Sequence, residues 1–344
     1  MCPKETKTIG ELGEFGIIDL FAKVGQGIGD DCAIVDAGGR ERLCVSTDML
    51  VEGVHFERSF GTAWQLGWKA LAVNLSDLAA MGAKPLACLL AMGLPESLGQ
   101  DWLIAFRDGL EACSRRYACP LVGGDTVRNP SGLSLSLTVL GRGLEQELVG
   151  RAGAKAGDLI HVAGPLGDSA AGLHLLQGGA VALAPADRDA LIGAHVQPEP
   201  QLELGRALAA AGLASAMIDI SDGFLQDLGH LARASGLGAE VLADRLPLSR
   251  AAWRLAEQTG MDARDWALGG GEDYRLLFCS PENKRTELAE LLERLGVGNV
   301  VSVGSLSEGA GLRVLKDGRW IDPGRGGYDH FSAEQGPVEE EGKT

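Results

Sequence analysis

In the stretch GIGDDCAIV (residues 27–35), Asp30 and Asp31 stand side by side between alternating glycines and an apolar run. Two adjacent carboxylates repel, and the entrance to a strand is partly desolvated, so the pair needs a cation or a solvated turn. The pattern recurs. Asp48 follows CVST, Asp125 follows LVGG, and Asp219 and Asp222 sit in MIDISDGF. Asp77 lies on a helical pattern, with Asn74 three residues before it on the same face. Any one of these acids could simply shape a turn or cap a helix. Brought together, they would repel strongly unless divalent metal neutralised them. An oxygen-only set, with the Ser46 and Thr47 hydroxyls and Asn74 beside the carboxylates, suits Mg2+ rather than zinc or copper. Mg2+ commonly bridges carboxylates to substrate phosphates, so phosphoryl transfer is the chemistry expected.

No GxxxxGK[ST], no His-Arg-Asp with Asp-Phe-Gly and no GxGxxG opening a helix occurs in the sequence. Phosphates would then rest on metals, on scattered basic residues and on backbone N–H groups. GGDT (123–126) and GPLGDSAAG (164–172) offer glycine-flanked amides near expected helix starts.

The elements that must carry these residues alternate between strand and helix. Strands are expected at 42–50, 85–95, 119–127 (strand plus turn), 132–143, 239–248, 274–280, 299–306 and 311–318, and helices at 63–82, 100–118, 199–212, 221–235, 249–259 and 282–295. A turn, strand, Gly-rich loop and helix fill 151–179. With 344 residues there is room for about two domains. The division is expected near 145–152: residues 1–148 as a metal- and ATP-binding, dimerising domain, 149–332 as a second domain, and 333–344 as an acidic, disordered tail.

Forty-seven Asp and Glu against 31 Lys and Arg leave a net charge of −16, which argues against nucleic acid or an anionic membrane as partner. No stretch approaches the ~18 apolar residues that span a bilayer. Seven cysteines with no Cys-x-x-Cys pair read as reduced thiols in a cytoplasmic protein without a zinc site.

In order along the chain, GIGDD (27–31), STD (46–48), GVHF (53–56), NLSDLAAMGAKP (74–85), VGGDT (122–126), GDSAAG (167–172), IDISDG (218–223), GGGEDY (269–274) and GYDHF (327–331) resemble the thiamine-monophosphate kinase family. The earlier motifs are also similar to the wider aminoimidazole ribonucleotide synthetase and selenophosphate synthetase superfamily. The resemblance implies an α/β (α+β) chain: a two-domain subunit of the aminoimidazole ribonucleotide synthetase-like fold, with mixed sheets, flanking helices and N-terminal halves paired in a homodimer. It implies direct, Mg2+-assisted transfer from ATP to thiamine monophosphate, without a covalent nucleophile. Asp31, Ser46, Thr47, Asp48, Asp77, Asp125, Asp219 and Asp222 would be ligands of several Mg2+ ions, with Asp30 in support. Tyr117, Gly124, Asp125, Arg151 and Ser221 would meet ATP, and His55, Glu272 and Tyr328 the thiamine moiety, whose cationic ring suits Glu272 and Tyr328.

Other readings fit less well. A selenophosphate synthetase would need a reactive cysteine in an N-terminal Gly-rich segment, whereas Cys2 precedes Pro3 and Cys32 lies in an apolar run. The hydrogenase-maturation relative would carry a C-terminal cysteine, where this sequence reads EEEGKT. A non-catalytic sensor would be expected to have lost some of the aspartates. A metal-dependent phosphatase would need water in line with the phosphate.

Overall fold

The computed structural model of the chain describes residues 8–22, 28–178 and 181–323. Tyr328 and the acidic tail lie outside these residues. The N-terminal half builds a five-stranded sheet in the order β1-β2-β5-β3-β4, from β1 (Ala33–Val35), β2 (Glu41–Val51), β3 (Lys84–Leu94), β4 (Leu121–Arg128) and β5 (Ser134–Leu144). The β3–β4 pair is parallel and the other pairs are antiparallel. The second half forms a seven-stranded mixed sheet, β12-β11-β8-β10-β6-β9-β7, from β6 (Leu159–Ala163), β7 (Ala216–Asp219), β8 (Gly238–Leu242), β9 (Leu276–Ser280), β10 (Val300–Ser307), β11 (Gly311–Lys316) and β12 (Arg319–Ile321).

Helix α2 (Ala63–Ala80) is central. A capping box starts it: Thr62 Oγ1 accepts the Gln65 N–H, and the Gln65 side chain accepts the Thr62 N–H. Fourteen of its 18 residues are buried, because it is covered on several sides. On one side lies α3 (Gln100–Tyr117); on the other lie α6 (Leu202–Ala210) and strands β7 and β9 of the second half. One apolar core therefore runs from Leu71, Leu75 and Leu78 of α2 to Leu208, Met217 and Phe278 of the second half. Backbones touch at these crossings. A Cβ on Gly67 would lie 1.9 Å from the Phe106 carbonyl oxygen, one on Gly109 1.8 Å from that of Trp64, and one on Gly205 2.0 Å from that of Ala79.

Several elements differ from the sequence expectations. The N-terminal helix α1 (Ile9–Ala22), α5 (Pro185–Val196), α9 (Ala263–Gly269), β7 and β12 were not anticipated. The GGDT segment lies within strand β4, not at a helix start, because an exposed edge strand tolerates glycines that a packed one would not. The helix expected from 221 begins at Phe224 (α7, Phe224–Ala234), which leaves Ser221 and Asp222 in the preceding loop. Helices α4 (Asp168–Leu176), α8 (Arg250–Thr259) and α10 (Arg285–Leu295) complete the layers. Among the described residues no helix is long and apolar enough to cross a membrane.

Because Gly205 lies backbone to backbone with α2, Gly205→Ala is expected to destabilise the fold by about 3 kcal/mol. Equilibrium urea unfolding would measure it.

Candidate active site

Asp31 precedes β1, Asp77 lies in the last turn of α2, and Asp219 ends β7. One carboxylate oxygen from each lies within 4.8 Å of the other two. Asp31 and Asp219 are 7% and 3% exposed, and each keeps one buried oxygen, Oδ2, with no hydrogen-bond partner. Neighbours offset only part of this charge. Arg151 Nη2 and Nε donate to Asp31 Oδ1 at 2.6 and 3.2 Å, and the Ser46 hydroxyl donates to Asp77 Oδ2 at 2.6 Å. Asp30 stands aside, accepting the N–H groups of Arg151 and Asp31.

Burial is the main cause of raised pKa values here: Asp31 to about 7, Asp219 and Asp48 to about 6, and Asp77 well above the usual carboxylate range. Mutual repulsion adds to burial, from Asp219 on Asp31 and from Asp222 on Asp48. Unpartnered buried oxygens in an all-oxygen cluster fit a hard divalent cation.

Asp48 stands within β2, not at its end, and its N–H donates to the Asn74 Oδ1 atom of α2. Asp48, Asp77, Ser221 and Asp222 line a cleft of about 650 Å³ between the two halves. The apolar side chains Phe56, Phe60, Val73 and Leu173 also line it, with His55, His195, Glu272 and Tyr274. His55 Nδ1 accepts the Val51 N–H, which leaves a neutral ring's proton on Nε2.

Glu272 does not present an uncompensated charge to the cleft, contrary to the expectation for a cation-binding carboxylate. Its Oε1 pairs with Lys69 at 2.9 Å and its Oε2 meets His195 Nδ1 at 3.2 Å. The Ser169 hydroxyl also meets His195 Nδ1, at 3.0 Å. A nucleophile relay needs serine and acid on opposite ring nitrogens, so this trio is not a hydrolytic triad. Burial, then Lys69, lowers the His195 pKa to about 4, so the ring is neutral near pH 7.

Four expected site residues are not brought to the cluster. Thr47 points to the opposite sheet face, where its hydroxyl donates to the Leu137 carbonyl and meets that of Thr138, although the residue reaches the cleft rim. The register Met49–Ser136–Ala91–Asp125 puts Asp125 on that same outer face, three strands (about 14 Å) from β2. Gly124 sits against β3, where a Cβ would lie 1.8 Å from the Leu90 carbonyl oxygen. Tyr117, at the end of α3, packs edge-on against Trp68 and does not line the cleft.

Two acids that sequence reasoning passed over organise the loops. Asp227 Oδ2 accepts the N–H groups of Ser221, Asp222 and Gly223, all at 3.1 Å. Asp273 accepts those of Gly167 and Ser169, at 2.7 and 3.2 Å. The amides at the start of α4, expected to hold phosphate, are thus occupied by a carboxylate of the protein itself. The available sequence signal for Asp227 is an acid among the apolar residues of FLQDLGHL, four positions after Gly223.

Such a two-sheet subunit, with acids converging from β1, β2, α2 and β7, is that of the AIR synthase related proteins. The family model for their N-terminal domain matches residues 29–143, and that for their C-terminal domain matches 155–317. The chain is 44% identical over 329 residues to thiamine-monophosphate kinase of Salmonella typhimurium, covering 93% of this chain and 98% of the relative. It is 38% identical to that of Aquifex aeolicus over 324 residues, covering 93% and 99%. Among solved structures, AaThiL complexed with AMPPCP and TMP superposes with a TM-score of 0.84 at 36% identity, covering 95% of this chain and 100% of that one. Thiamine-monophosphate kinase from Stenotrophomonas maltophilia K279a gives 0.75 at 43% identity, covering 86% and 91%. The chain belongs to the thiamine-monophosphate kinase family.

The raised pKa values of Asp31, Asp48 and Asp219 carry a sign. Their protonated forms stabilise the metal-free fold below about pH 4, and that contribution is lost as pH rises through about 6–7. Cation binding needs the ionised forms. The gap in Tm between millimolar Mg2+ and EDTA is therefore expected to widen from about pH 5.5 to about pH 8, as read by scanning calorimetry.

Proposed function

We propose that this protein transfers the γ-phosphoryl group of ATP directly to the phosphate of thiamine monophosphate, giving ADP and thiamine diphosphate. The observation that carries this reading is the cluster Asp31, Asp77 and Asp219, with its unpartnered oxygens, at the wall of a cleft that also offers aromatic and apolar surface. Family membership and the relative solved with AMPPCP and TMP support the substrate assignment.

Asp31, Asp48, Asp77, Asp219 and Asp222, with Ser46, would hold the Mg2+ ions. When bound, these neutralise phosphate charge and favour in-line geometry. The chain's own part is positioning. Asp227 fixes the loop of Ser221 and Asp222, Arg151 adds fixed positive charge beside Asp31, and Phe56 and Phe60 give apolar surface to an aromatic acceptor. The acceptor phosphate is ionised near pH 7, so no general base is required. The reaction draws on ATP and Mg2+, and the six described cysteines are all free and buried, which suits the cytoplasm.

A homodimer belongs to the same reading. Among the described residues nothing covers the outer face of the five-stranded sheet, with Val45, Met49 and Leu89 beside Thr47, Thr138 and Asp125; Met49 and Leu89 are exposed, as is edge strand β4 throughout. A second copy of this face would bury that apolar surface and cover the side on which Asp125 stands.

Asp48→Asn is expected to lower kcat by about a hundredfold while shifting Tm little, in a coupled assay of thiamine diphosphate and ADP formation. An unchanged rate would remove Asp48 from the metal site. Leu89→Glu is expected to convert a dimer into a folded monomer, read by light scattering on a sizing column.

A further inference from the structure

Lys69 is 3% exposed on a helix whose other polar residues are Gln65, Asn74, Ser76 and Asp77. Burying an ammonium costs several kcal/mol, and an apolar side chain of similar volume would usually serve stability as well or better. Its placement explains its presence. Lys69, Val73 and Asp77 follow one another at four-residue spacing and share one stripe of α2. Val73 and Asp77 line the cleft, and Lys69 lines a small adjoining recess with Phe56, Phe60 and Trp102. The stripe thus runs about 12 Å, from the carboxylate cluster at Asp77 to the Lys69–Glu272 pair.

Around Glu272 the backbone is held in an unusual form. Glu272 and Tyr274 have φ of 64° and 49°, a region costly for residues other than glycine. Their N–H groups donate to the Ser221 and Ile220 carbonyls at 2.7 and 2.8 Å, while Asp273 between them is tied to the start of α4. Consecutive side chains are thereby sent in different directions, and Glu272 is directed across the seam to α2. There Lys69 takes Oε1 and His195 takes Oε2. Each oxygen has one partner from a different helix, so the carboxylate plane is fixed while Glu272 remains 23% exposed at the cleft.

We propose that Lys69 is a positioning residue for the acceptor: reaching across from the N-terminal half, it fixes the Glu272 carboxylate, with His195, as an oriented hydrogen-bond acceptor for the ring system of the phosphorylated substrate. The inference deepens the kinase reading and rests on it. It also changes the part played by Glu272. Matched by Lys69, Glu272 selects by direction, accepting an amino group placed in its plane, and does not attract a cation by net charge.

The test compares Lys69→Met, Lys69→Arg, Glu272→Gln and the double variant Lys69→Met/Glu272→Gln with the wild type, measuring kcat and both KM values. The expected result for Lys69→Met is a KM for thiamine monophosphate raised about tenfold, with the KM for ATP within about twofold. Lys69→Arg should recover most of that loss. The double variant, which buries no unpaired charge, should fold and show an acceptor KM raised no further than in Glu272→Gln alone, because Lys69 acts only through Glu272; a further rise would overturn the proposal even if Lys69→Met by itself does not fold. Unchanged KM values in a folded variant, or equal losses toward both substrates, would overturn the proposal. A second readout is independent of the substrate. The His195 ring, held at about 4 by burial and Lys69, should titrate higher by NMR in Lys69→Met. If the wild type does not phosphorylate thiamine monophosphate, the kinase reading falls, whereas a His195 titration that stays put in Lys69→Met overturns the network itself.

Discussion

The repulsion among Asp31, Asp77 and Asp219 is the constraint on which the rest of the molecule depends. Three carboxylates with oxygens inside 4.8 Å of one another, two of them nearly out of solvent, raise one another's pKa and oppose the close approach of β1, α2 and β7. Arg151 and Ser46 relieve part of that cost. What keeps the acids together is the apolar packing of α2 against both sheets, with capping and backbone-to-backbone glycine contacts that leave the helix no freedom to move away. A stable core imposes an unfavourable electrostatic arrangement, and that arrangement gives the site its demand for cations.

Two further acids work in the opposite sense. Asp227 and Asp273 satisfy backbone N–H groups at the starts of α7 and α4, positions that elsewhere serve as anion sites. By occupying them, the chain fixes the geometry of the Ser221–Asp222 loop and of the Gly-rich turn, and it leaves the recognition of phosphate to cations.

The sequence was informative where one physical signal dominated. Strands β2, β3 and β5 and helices α2 and α3 follow from apolar periodicity, and the acids of the cluster stand out because they interrupt apolar runs. The GGDT segment misled because glycines suggest turns, whereas at an exposed edge they are compatible with a strand. Strand β7 has only four residues, α9 has seven, and α5 begins at Pro185 with a weakly amphipathic pattern, so neighbouring elements rather than local preference determine them. The roles of Lys69, His195, Asp227 and Asp273 come from partners 4 to more than 200 residues away, and no spacing rule connects Lys69 to Glu272. The side chain of Asp125 showed the same limit: its type suits a ligand, but strand register sets which face it occupies.

Helix α2 lies in the N-terminal half, yet its buried surface is shared with α6, β7 and β9. The two family-defined regions, 29–143 and 155–317, therefore record ancestry and not autonomy. Cut at the seam, the first fragment would expose the flank of α2 and the second the apolar faces of α6 and β9. Each would be the missing solvent shield of the other, so separately expressed halves are suited to mutual rescue and poorly suited to life alone.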